Sequence, residues 1–304
     1  MTLSAASLPY DRVLVTGGAG YIGGQLSTVL SEGADVLVVD RSVTSETAGI
    51  TYREFDIRET ALIDRAVASV ECVFHLAAEI DVSKTVADPY NSAQTNVIGT
   101  VAVLEAARKY DIPVILASSA AVYGDPRETP LQESVRCTPT SPYGLEKLTC
   151  DRYARLYREL YGLDVLSLRY FNVYGPGERT SAGVIRRFIQ QAQDGGPITI
   201  HGDGTQTRDF VHIHDVIRAN ILAASAEKDG LPINIGTGSA VTIRDLAERI
   251  VSMIDPSVQI THIDRPEGDI QRSCADITRA DDVLGYQPTI SLSKGLEQYL
   301  SVPA

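Results

Sequence analysis

The chain has 304 residues, of which 44% are hydrophobic and 22% charged, and its formal net charge is -12. This length and composition suit one large α/β domain, or a nucleotide-binding domain with a smaller lobe. The strong negative charge repels phosphate backbones and anionic lipid, so we expect neither nucleic acid nor a membrane surface as a partner.

Short β-branched runs alternate with helical patterns along the first 172 residues. The predicted strands cover residues 12–16, 35–40, 51–55, 71–76, 113–117 and 164–169. Helical periodicity follows the first strand and returns over residues 89–110 and 142–161. Strands that alternate with helices predict an α/β fold, a Rossmann-type doubly wound parallel sheet with both faces covered.

The alternation weakens after Asn172, where the sequence NVYGPGE is typical of turns. Helices over 184–193 and 216–226 and a strand over 198–202 are predicted there, which indicates a smaller C-terminal α+β lobe that binds substrate. We expect one domain of residues 1–172 plus about 212–235, and a lobe of about 173–211 plus 236–304. No linker rich in Pro, Ser or charge separates the two, so they should pack together.

The segment GGAGYIG at residues 17–23 joins the first strand to the first helix. Glycines there allow a tight turn and close approach of the backbone to a pyrophosphate, which rests on the helix N-terminus. Asp40 ends the second strand, where a carboxylate binds ribose hydroxyls and repels a 2′-phosphate. Arg41 follows and can accommodate a 2′-phosphate, so the pair favours NAD and leaves NADP open. The candidate contacts are Gly17, Gly20, Tyr21, Ile22, Gly23, Asp40 and Arg41.

Two later strand ends add further candidates. Asp56 follows the third strand and is placed either to reach the adenine amino group or to cap the helix that begins near Glu59. The segment HLAA ends the fourth strand, where small residues let a flat cofactor lie against the backbone or simply fill the core. His75 within it is interpreted as a structural histidine. The candidate cofactor contacts here are Asp56, Ile57, Leu76, Ala77 and Ala78.

Tyr143 and Lys147 stand four residues apart near the start of a predicted helix, on one face. A nearby ammonium and a positive nicotinamide ring stabilise a phenolate, which suits the pair to proton transfer, and Lys147 can also bond the nicotinamide ribose. Ser118 and Ser119 follow the fifth strand, at the edge where ligands bind parallel sheets. Ser119 there could relay a substrate proton, whereas a helix cap or turn is the alternative, above all for Ser118.

Taken together, these segments resemble the extended short-chain dehydrogenase/reductase family, and within it the UDP-galactose 4-epimerase group. The motifs are TGGAGYIG (16–23), HLAA (75–78), SSAAVYG (118–124), SPYGLEK (141–147), RYFNVYGPGE (169–178), GDGTQTRDFVHIHD (202–215) and RPEGD (265–269). They occur in family order across most of the chain. The resemblance implies NAD as cofactor, a UDP-sugar as substrate and a homodimer, paired through the predicted helix over 89–110 and the helix that carries Tyr143.

The resemblance also implies roles for single residues. Ser119, Tyr143 and Lys147 match the catalytic set, and Ser119 and Tyr143 would also contact the sugar. Arg208 is independently a candidate for a phosphate in so acidic a chain, with a salt bridge to Asp209 as the alternative. The other implied contacts are Asn96, Ser118 and Phe171 for the cofactor, and Asn172, Arg208, Arg265 and Asp269 for the substrate.

Three positions with small residues bear on the reaction and the sugar. Dehydratase and decarboxylase relatives carry an acid at one or both positions held here by Ala120 and Ala121, and alanine has no proton to move. The resemblance therefore predicts epimerisation at C4 of UDP-glucose or UDP-galactose through a transient 4-keto sugar. Ser273, by analogy, would admit N-acetylated forms. The alternatives are another NAD-dependent NDP-sugar modifier (uronate epimerase, reductase or dehydratase) and a non-catalytic NAD-binding sensor.

Histidines and cysteines give no metal motif. His212 and His214 share a strand face without a third ligand at sensible spacing, so we interpret them as structural, with Asp215 as a cap of the next helix. The four cysteines stand apart, which favours a reducing compartment. The N-terminal segment MTLSAASLPY lacks the features of a secretory signal, and we expect a cytoplasmic protein.

Overall fold

A computed structural model describes residues 8–178, 183–266 and 268–301. The strands in chain order are β1 (Arg12–Thr16), β2 (Asp35–Asp40), β3 (Ile50–Glu54), β4 (Cys72–His75), β5 (Val114–Ser119), β6 (Val165–Tyr170), β7 (Asn172–Tyr174), β8 (Ile198–His201), β9 (Thr207–His212), β10 (Ile233–Ile235), β11 (Ala240–Thr242) and β12 (Ile260–Ile263).

The helices in chain order are α1 (Tyr21–Leu30), α2 (Thr60–Val67), α3 (Val82–Ala87), α4 (Pro89–Ala93), α5 (Gly99–Tyr110), α6 (Pro142–Tyr161), α7 (Val184–Gln193), α8 (Ile213–Ser225), α9 (Ile243–Ile254), α10 (Thr278–Leu284) and α11 (Leu292–Ser301). A π-helical turn (Gln94–Ile98) joins α4 to α5, and a 3-10 turn (Ala120–Tyr123) follows β5. Across the described ranges, no helix is long and apolar enough to span a bilayer.

A seven-stranded parallel sheet forms the centre of the described chain, in the order β10-β6-β5-β4-β1-β2-β3. This confirms the predicted Rossmann-type fold. The strand order reverses between β1 and β4, where Thr16 pairs with His75. In such sheets the crevice for ligands opens at the carboxyl ends of the strands beside this reversal.

Both faces of the sheet are covered, which explains why its strands read as nearly continuous apolar runs. One face packs Val38, Phe74 and Leu168 against α1 and α8. The other face packs Leu14 and Leu116 against α2, α5 and α6. Because the core holds the sheet on both sides, its strand ends form a fixed edge for a site.

A smaller lobe carries two further sheets, with strand orders β11-β9-β7 and β12-β8. Its own apolar core includes Phe188, Phe210, Leu246 and Leu296, contributed by α7, β9, α9 and α11. The lobe joins the central sheet directly, because β7 begins two residues after β6 ends.

The helix predicted over 142–161 is present with those bounds. Ser141 caps it by accepting a hydrogen bond from the Gly144 amide (3.1 Å), Pro142 occupies the first position, and Gly162 ends it with a φ of 72°. The helix predicted over 89–110 is not one regular helix, since the π-helical turn interrupts it. Asn96 lies in that turn and directs its side chain inward, as described below.

Candidate active site

The glycine-rich loop between β1 and α1 leaves no room for side chains. Gly17 has a φ of 72°, and a Cβ placed on it would lie 2.6 Å from the Ala77 backbone nitrogen, while one on Gly23 would collide with the Gly17 carbonyl. Asp40 at the end of β2 accepts a hydrogen bond from the Ala19 amide (3.0 Å). The loop therefore holds the N-terminus of α1 against the strand ends, which is the arrangement that binds a phosphate.

A cavity of about 410 Å³ follows the carboxyl ends of the strands beside this loop. The predicted cofactor contacts that line it are Gly17, Gly20, Tyr21, Ile22, Gly23, Asp40, Arg41, Asp56, Ile57, Leu76, Ala77, Ala78, Ser118, Tyr143 and Lys147. The lining residues that the sequence did not indicate are Ala19, Ser42, Ile80, Thr95, Ala117, Tyr170, Val173 and Glu178. Glu178 is the last residue of the motif RYFNVYGPGE, and this motif was the one sequence signal that could have indicated it as a site residue.

These residues fit a dinucleotide. The glycines provide close backbone approach, and the Asp40 carboxylate stands where a ribose would lie. Ser118 is buried and its Oγ has no hydrogen-bond partner among the described residues, although it lines the cavity. A buried hydroxyl without a partner in such a wall fits contact with a bound molecule.

Asp56 does not cap α2, because Glu59 occupies the N-cap position. The Asp56 carboxylate instead accepts hydrogen bonds from the Arg58 amide and guanidinium at 2.7 to 2.9 Å. These bonds hold the pKa of Asp56 below its ordinary value. The cap interpretation is therefore wrong, and contact with adenine stays a prediction.

Tyr143 and Lys147 both line the cavity, on the first turns of α6. Lys147 is buried, and its Nζ atom donates a hydrogen bond to the Ala117 carbonyl oxygen (2.9 Å). Gly144 lets the helix approach, because a Cβ there would lie 2.5 Å from the Ala121 carbonyl oxygen. The candidate proton-transfer pair and the candidate cofactor loop thus open into one cavity.

The two serines after β5 have different surroundings. Ser119 starts the 3-10 turn and accepts a hydrogen bond from the Ala121 amide (3.2 Å) through its Oγ. Its hydroxyl hydrogen remains available to a substrate. The cap interpretation, which stood for both serines, thus applies to Ser119, because Ser119 is the N-cap residue of the turn whereas Ser118 lies one residue earlier in β5.

A buried hydrogen-bond network connects α6 to the segment around Asn96. The Glu146 carboxylate accepts hydrogen bonds from Asn96 Nδ2 (2.6 Å) and Ser92 Oγ (2.8 Å). Asn96 also accepts from the Glu79 amide (2.7 Å) and donates to the Glu79 carbonyl (2.9 Å). Asn96 does not line the cavity, so its predicted contact with the cofactor remains a prediction. Its observed contacts join α6 to the segment after β4, a role that the sequence did not indicate.

His75 lies beneath the cavity with both ring nitrogens in contact with hydroxyls. Nδ1 is 2.6 Å from Thr16 Oγ1 and Nε2 is 3.0 Å from Thr100 Oγ1. Burial lowers the pKa of His75 to about 3, so the ring is neutral near pH 7. These contacts agree with the structural interpretation.

Two arginines of the smaller lobe share one carboxylate. Arg208 Nη2 donates to Asp269 (2.8 Å), and Arg265 Nε donates to the other oxygen of the same side chain (3.2 Å). The proposed salt bridge between Arg208 and Asp209 is wrong, because Asp209 is fully buried and accepts from backbone amides such as Thr237 (2.8 Å). Two cations on one anion leave local positive charge in an acidic chain, which fits binding of a diphosphate.

The arginine pair adjoins the segment that follows β5. The backbone amide of Gln271 donates to the carboxylate of Asp125 (2.7 Å), and its carbonyl accepts from the Thr207 amide (3.0 Å), which connects the residue after the 118–124 motif to β9. Asn172 is exposed at the start of β7, and Phe171 is buried with its ring centroid 6.3 Å from that of Tyr123. The cofactor cavity is not lined by Ser119, Phe171, Asn172, Arg208, Arg265 or Asp269, so their predicted contacts stay predictions.

His212, rather than Asp215, caps α8. Its Nδ1 accepts a hydrogen bond from the His214 amide (3.2 Å). Asp215 lies in the first turn of that helix and accepts from the Thr289 amide (3.0 Å) and the Ile290 amide (3.1 Å), so it anchors a distant loop. The cap expected at Asp215 is therefore wrong, because this side chain points away from its own helix end toward residues 289–290.

The chain matches the model of the NAD dependent epimerase/dehydratase family over residues 13–236. UDP-glucose 4-epimerase of Mycolicibacterium smegmatis is 34% identical over 306 residues, covering 94% of this chain and 96% of that protein. UDP-glucuronic acid decarboxylase 1 of Arabidopsis thaliana is 31% identical over 302 residues, covering 95% of this chain and 69% of that protein.

Among solved structures, UDP-glucose 4-epimerase of Thermotoga maritima with UDP-glucose superposes with a TM-score of 0.89 at 33% identity. The match covers 95% of this chain and 97% of that one. The chain thus has the fold, the glycine-rich loop and the Tyr143–Lys147 pair, and it is also similar to these proteins over nearly its whole length. The chain belongs to the NAD-dependent epimerase/dehydratase family, as an enzyme of the extended short-chain dehydrogenase/reductase type that uses NAD.

Proposed function

We propose that this enzyme epimerises C4 of a UDP-hexose, interconverting UDP-glucose and UDP-galactose through a transient 4-keto sugar. The observation that carries the proposal is the position of Tyr143 and Lys147 in the wall of the cofactor cavity. A proton-transfer group beside a hydride carrier is what reversible oxidation of an alcohol requires.

The residues divide the proton chemistry among them. When bound, NAD supplies a hydride acceptor and donor. Tyr143 takes the proton of the C4 hydroxyl as C4 becomes a carbonyl, and it returns that proton when the alcohol forms again. Lys147 stabilises the phenolate by its charge, and Ser119 donates its hydroxyl hydrogen to the sugar oxygen. After the keto sugar has turned, the same groups complete the reaction on its other face, so the cycle consumes no oxidant.

The 3-10 turn after Ser119 supports epimerisation over elimination or decarboxylation. Ala120 and Ala121 are half-buried there and carry no group that could move a proton. Decarboxylase relatives exist at similar identity, so the overall similarity does not separate these reactions. The separation depends on this turn, and the absence of an acid from it favours the reaction that needs only Tyr143, Lys147 and Ser119.

For the substrate we propose a division of labour between the lobes. Arg208 and Arg265 hold the diphosphate together with Asn172, and Asp269 keeps the two guanidiniums together. Ser273 is buried, and it closely follows Asp269 in the sequence. Its small side chain favours entry of N-acetylated UDP-sugars. We propose the matching domain division, in which residues 1–172 plus about 212–235 bind the cofactor and the other lobe binds the substrate.

We further propose a homodimer. Apolar side chains of the 89–110 segment and α6 are exposed in the monomer, among them Ile98 (50%), Leu156 (46%) and Leu160 (66%). Exposed apolar side chains on two neighbouring segments favour a partner surface. A second copy of the chain would bury both helices in one symmetric contact. The cytoplasmic location stays a prediction.

The purified protein, without added NAD, should be incubated with UDP-, TDP- and GDP-hexoses, and the products identified by NMR. The proposal predicts interconversion of UDP-glucose and UDP-galactose. Turnover confined to a uronate, or net reduction or dehydration of the sugar, would favour another NDP-sugar modifier. Tight NAD binding without turnover of any sugar would favour the non-catalytic sensor.

A further inference from the structure

The cofactor cavity contains a buried carboxyl group that forms no ion pair with any residue that the structure describes. Glu178 lines the cavity and is 7% exposed. Among the described residues, the Tyr299 hydroxyl donates a hydrogen bond to its side chain at 3.4 Å. None of the ion pairs found in residues 8–178, 183–266 and 268–301 includes it. An ionised carboxylate in such surroundings lacks compensation.

The segment that carries Glu178 is fixed to the helix that forms the phosphate cradle. Gln25 on α1 donates a hydrogen bond to the Pro176 carbonyl oxygen (2.8 Å). Tyr21, the first residue of α1, lines the same cavity, and its buried hydroxyl has no hydrogen-bond partner in the described part of the chain. Burial is the main cause that raises the pKa of the Tyr21 hydroxyl, and the negative charge of Glu178 raises it further. The carboxyl therefore shares the wall of the cavity that a bound diphosphate faces.

Burial raises the pKa of Glu178 to about 7, while the Tyr299 hydroxyl and Arg186 oppose that rise. In the described part of the chain, the groups that act on the carboxyl are Tyr21 on α1, Tyr299 on α11 and Arg186 on α7, with Tyr174 of β7 beside Tyr21.

The remaining charged residues that line the cavity are Asp40, Arg41, Asp56 and Lys147. Entry of an anionic diphosphate beside the carboxyl disfavours its negative form still further. A neutral carboxyl group, by contrast, has an O–H that can donate to a phosphate oxygen.

We propose that Glu178 binds the diphosphate of NAD as the neutral acid, so that cofactor binding takes up a proton. The inference rests on the cofactor of the family and not on the sugar or the reaction proposed above. Its consequence is that the cofactor is held more weakly as the pH rises, although the diphosphate itself does not titrate in this range.

The test is calorimetric titration of NAD into the full chain freed of nucleotide, from pH 6 to 9, in two buffers of different ionisation enthalpy. The wild type should take up a fraction of a proton near pH 7 that grows toward one at higher pH, and its Kd should rise by up to about tenfold per pH unit. Glu178→Gln keeps a donor without a titrating group, so its Kd should be independent of pH. Tyr299→Phe removes the bond that lowers the pKa of Glu178, so its Kd should start to rise at higher pH.

Glu297→Gln, an exposed carboxyl on α11, is the matched control and should behave as the wild type does. The proposal is contradicted if the wild type takes up no proton, or if Glu178→Gln retains the wild-type uptake and slope. It is also contradicted if folded Glu178→Gln, verified by circular dichroism, fails to bind NAD at every pH. No sugar is present, so failure of the epimerase proposal would leave these results unchanged.

Discussion

The Nζ atom of Lys147 donates a hydrogen bond to the carbonyl oxygen of Ala117, 2.9 Å away in a buried wall of the cofactor cavity. This bond connects α6, which carries Tyr143, to the last residues of β5, which carry Ser118 and Ser119. One side chain thereby links the helix of the candidate proton-transfer tyrosine to the strand of the candidate serine. Lys147 is placed both to hold the site together and to supply its positive charge.

Replacement of Lys147 by methionine should therefore reduce stability as well as turnover. The substitution leaves the Ala117 carbonyl buried without a donor, which costs about 1–3 kcal/mol of the free energy of unfolding. Urea denaturation measures that loss, and product NMR measures the turnover. Lys84→Met, on the exposed surface of α3, is the control and should change neither. Unchanged stability of Lys147→Met would show that the hydrogen bond is dispensable.

Tyr143→Phe should abolish most of the turnover and leave the cofactor bound. A positioned proton-transfer group contributes about 10²–10⁴-fold to the rate, and phenylalanine keeps the ring that lines the cavity. Rates should be compared with those of Tyr153→Phe, which removes a more exposed hydroxyl from the same helix. If Tyr143→Phe retains more than a tenth of the wild-type rate, another group moves the proton.

Arg208→Ala should weaken substrate binding without weakening cofactor binding. Loss of a charge-assisted hydrogen bond to a phosphate costs about 1.5–3 kcal/mol, so KM for the UDP-sugar should rise by roughly ten- to a hundredfold. The exposed Arg249→Ala on α9 provides a control of equal charge change. An unchanged KM, or an equal loss of NAD affinity, would place the diphosphate elsewhere.

His75 should make the protein sensitive to acid. Its pKa is about 3 in the folded chain against an ordinary 6.5, so between these values the unfolded chain binds a proton that the folded chain does not. Stability therefore falls as the pH falls, by at most about 1.4 kcal/mol per unit. From pH 6.5 to 4.5 the wild type should lose more free energy of unfolding than His75→Gln does. The exposed His262→Gln should follow the wild type, and equal losses in all three proteins would contradict this account.

Leu160→Glu should prevent the proposed dimer. The leucine is 66% exposed on α6, and a carboxylate in a closed apolar contact between copies is costly. Light scattering after gel filtration should give about twice the chain mass for the wild type and the single mass for the variant. Met253→Glu, on an exposed part of α9, is the control and should have the same mass in solution as the wild type. A monomeric wild type would end the dimer proposal.

Local patterns were sufficient for six of the seven strands of the central sheet and for the glycine-rich loop, whereas the three-residue strand β10 was not predicted. The alternation of strand and helix, the glycines around Gly17 and the bounds of the 142–161 helix depend on neighbours in sequence, so the sequence predicted them correctly. The same holds for the spacing of Tyr143 and Lys147, because one helical turn brings them to one side.

The remaining features depend on partners far apart in the chain. Asn96 meets Glu146 across 50 positions, and Arg208 meets Asp269 across 61. The pattern within a single segment carries no information about such distant pairs. The role of Glu146 was therefore missed, and Arg208 was assigned the wrong alternative partner. The strand β8 was predicted, but other strands of the smaller lobe were missed for a similar reason, since three-residue strands such as β7 are defined only by what they pair with.

The central claim is transient oxidation at C4, and the most direct measurement uses UDP-galactose that carries deuterium at C4. The purified enzyme should convert it to UDP-glucose in ordinary water, and NMR should find the deuterium still on C4, because the hydrogen that leaves this carbon returns to it. Loss of the label to solvent, or the absence of UDP-glucose among the products, would contradict the account.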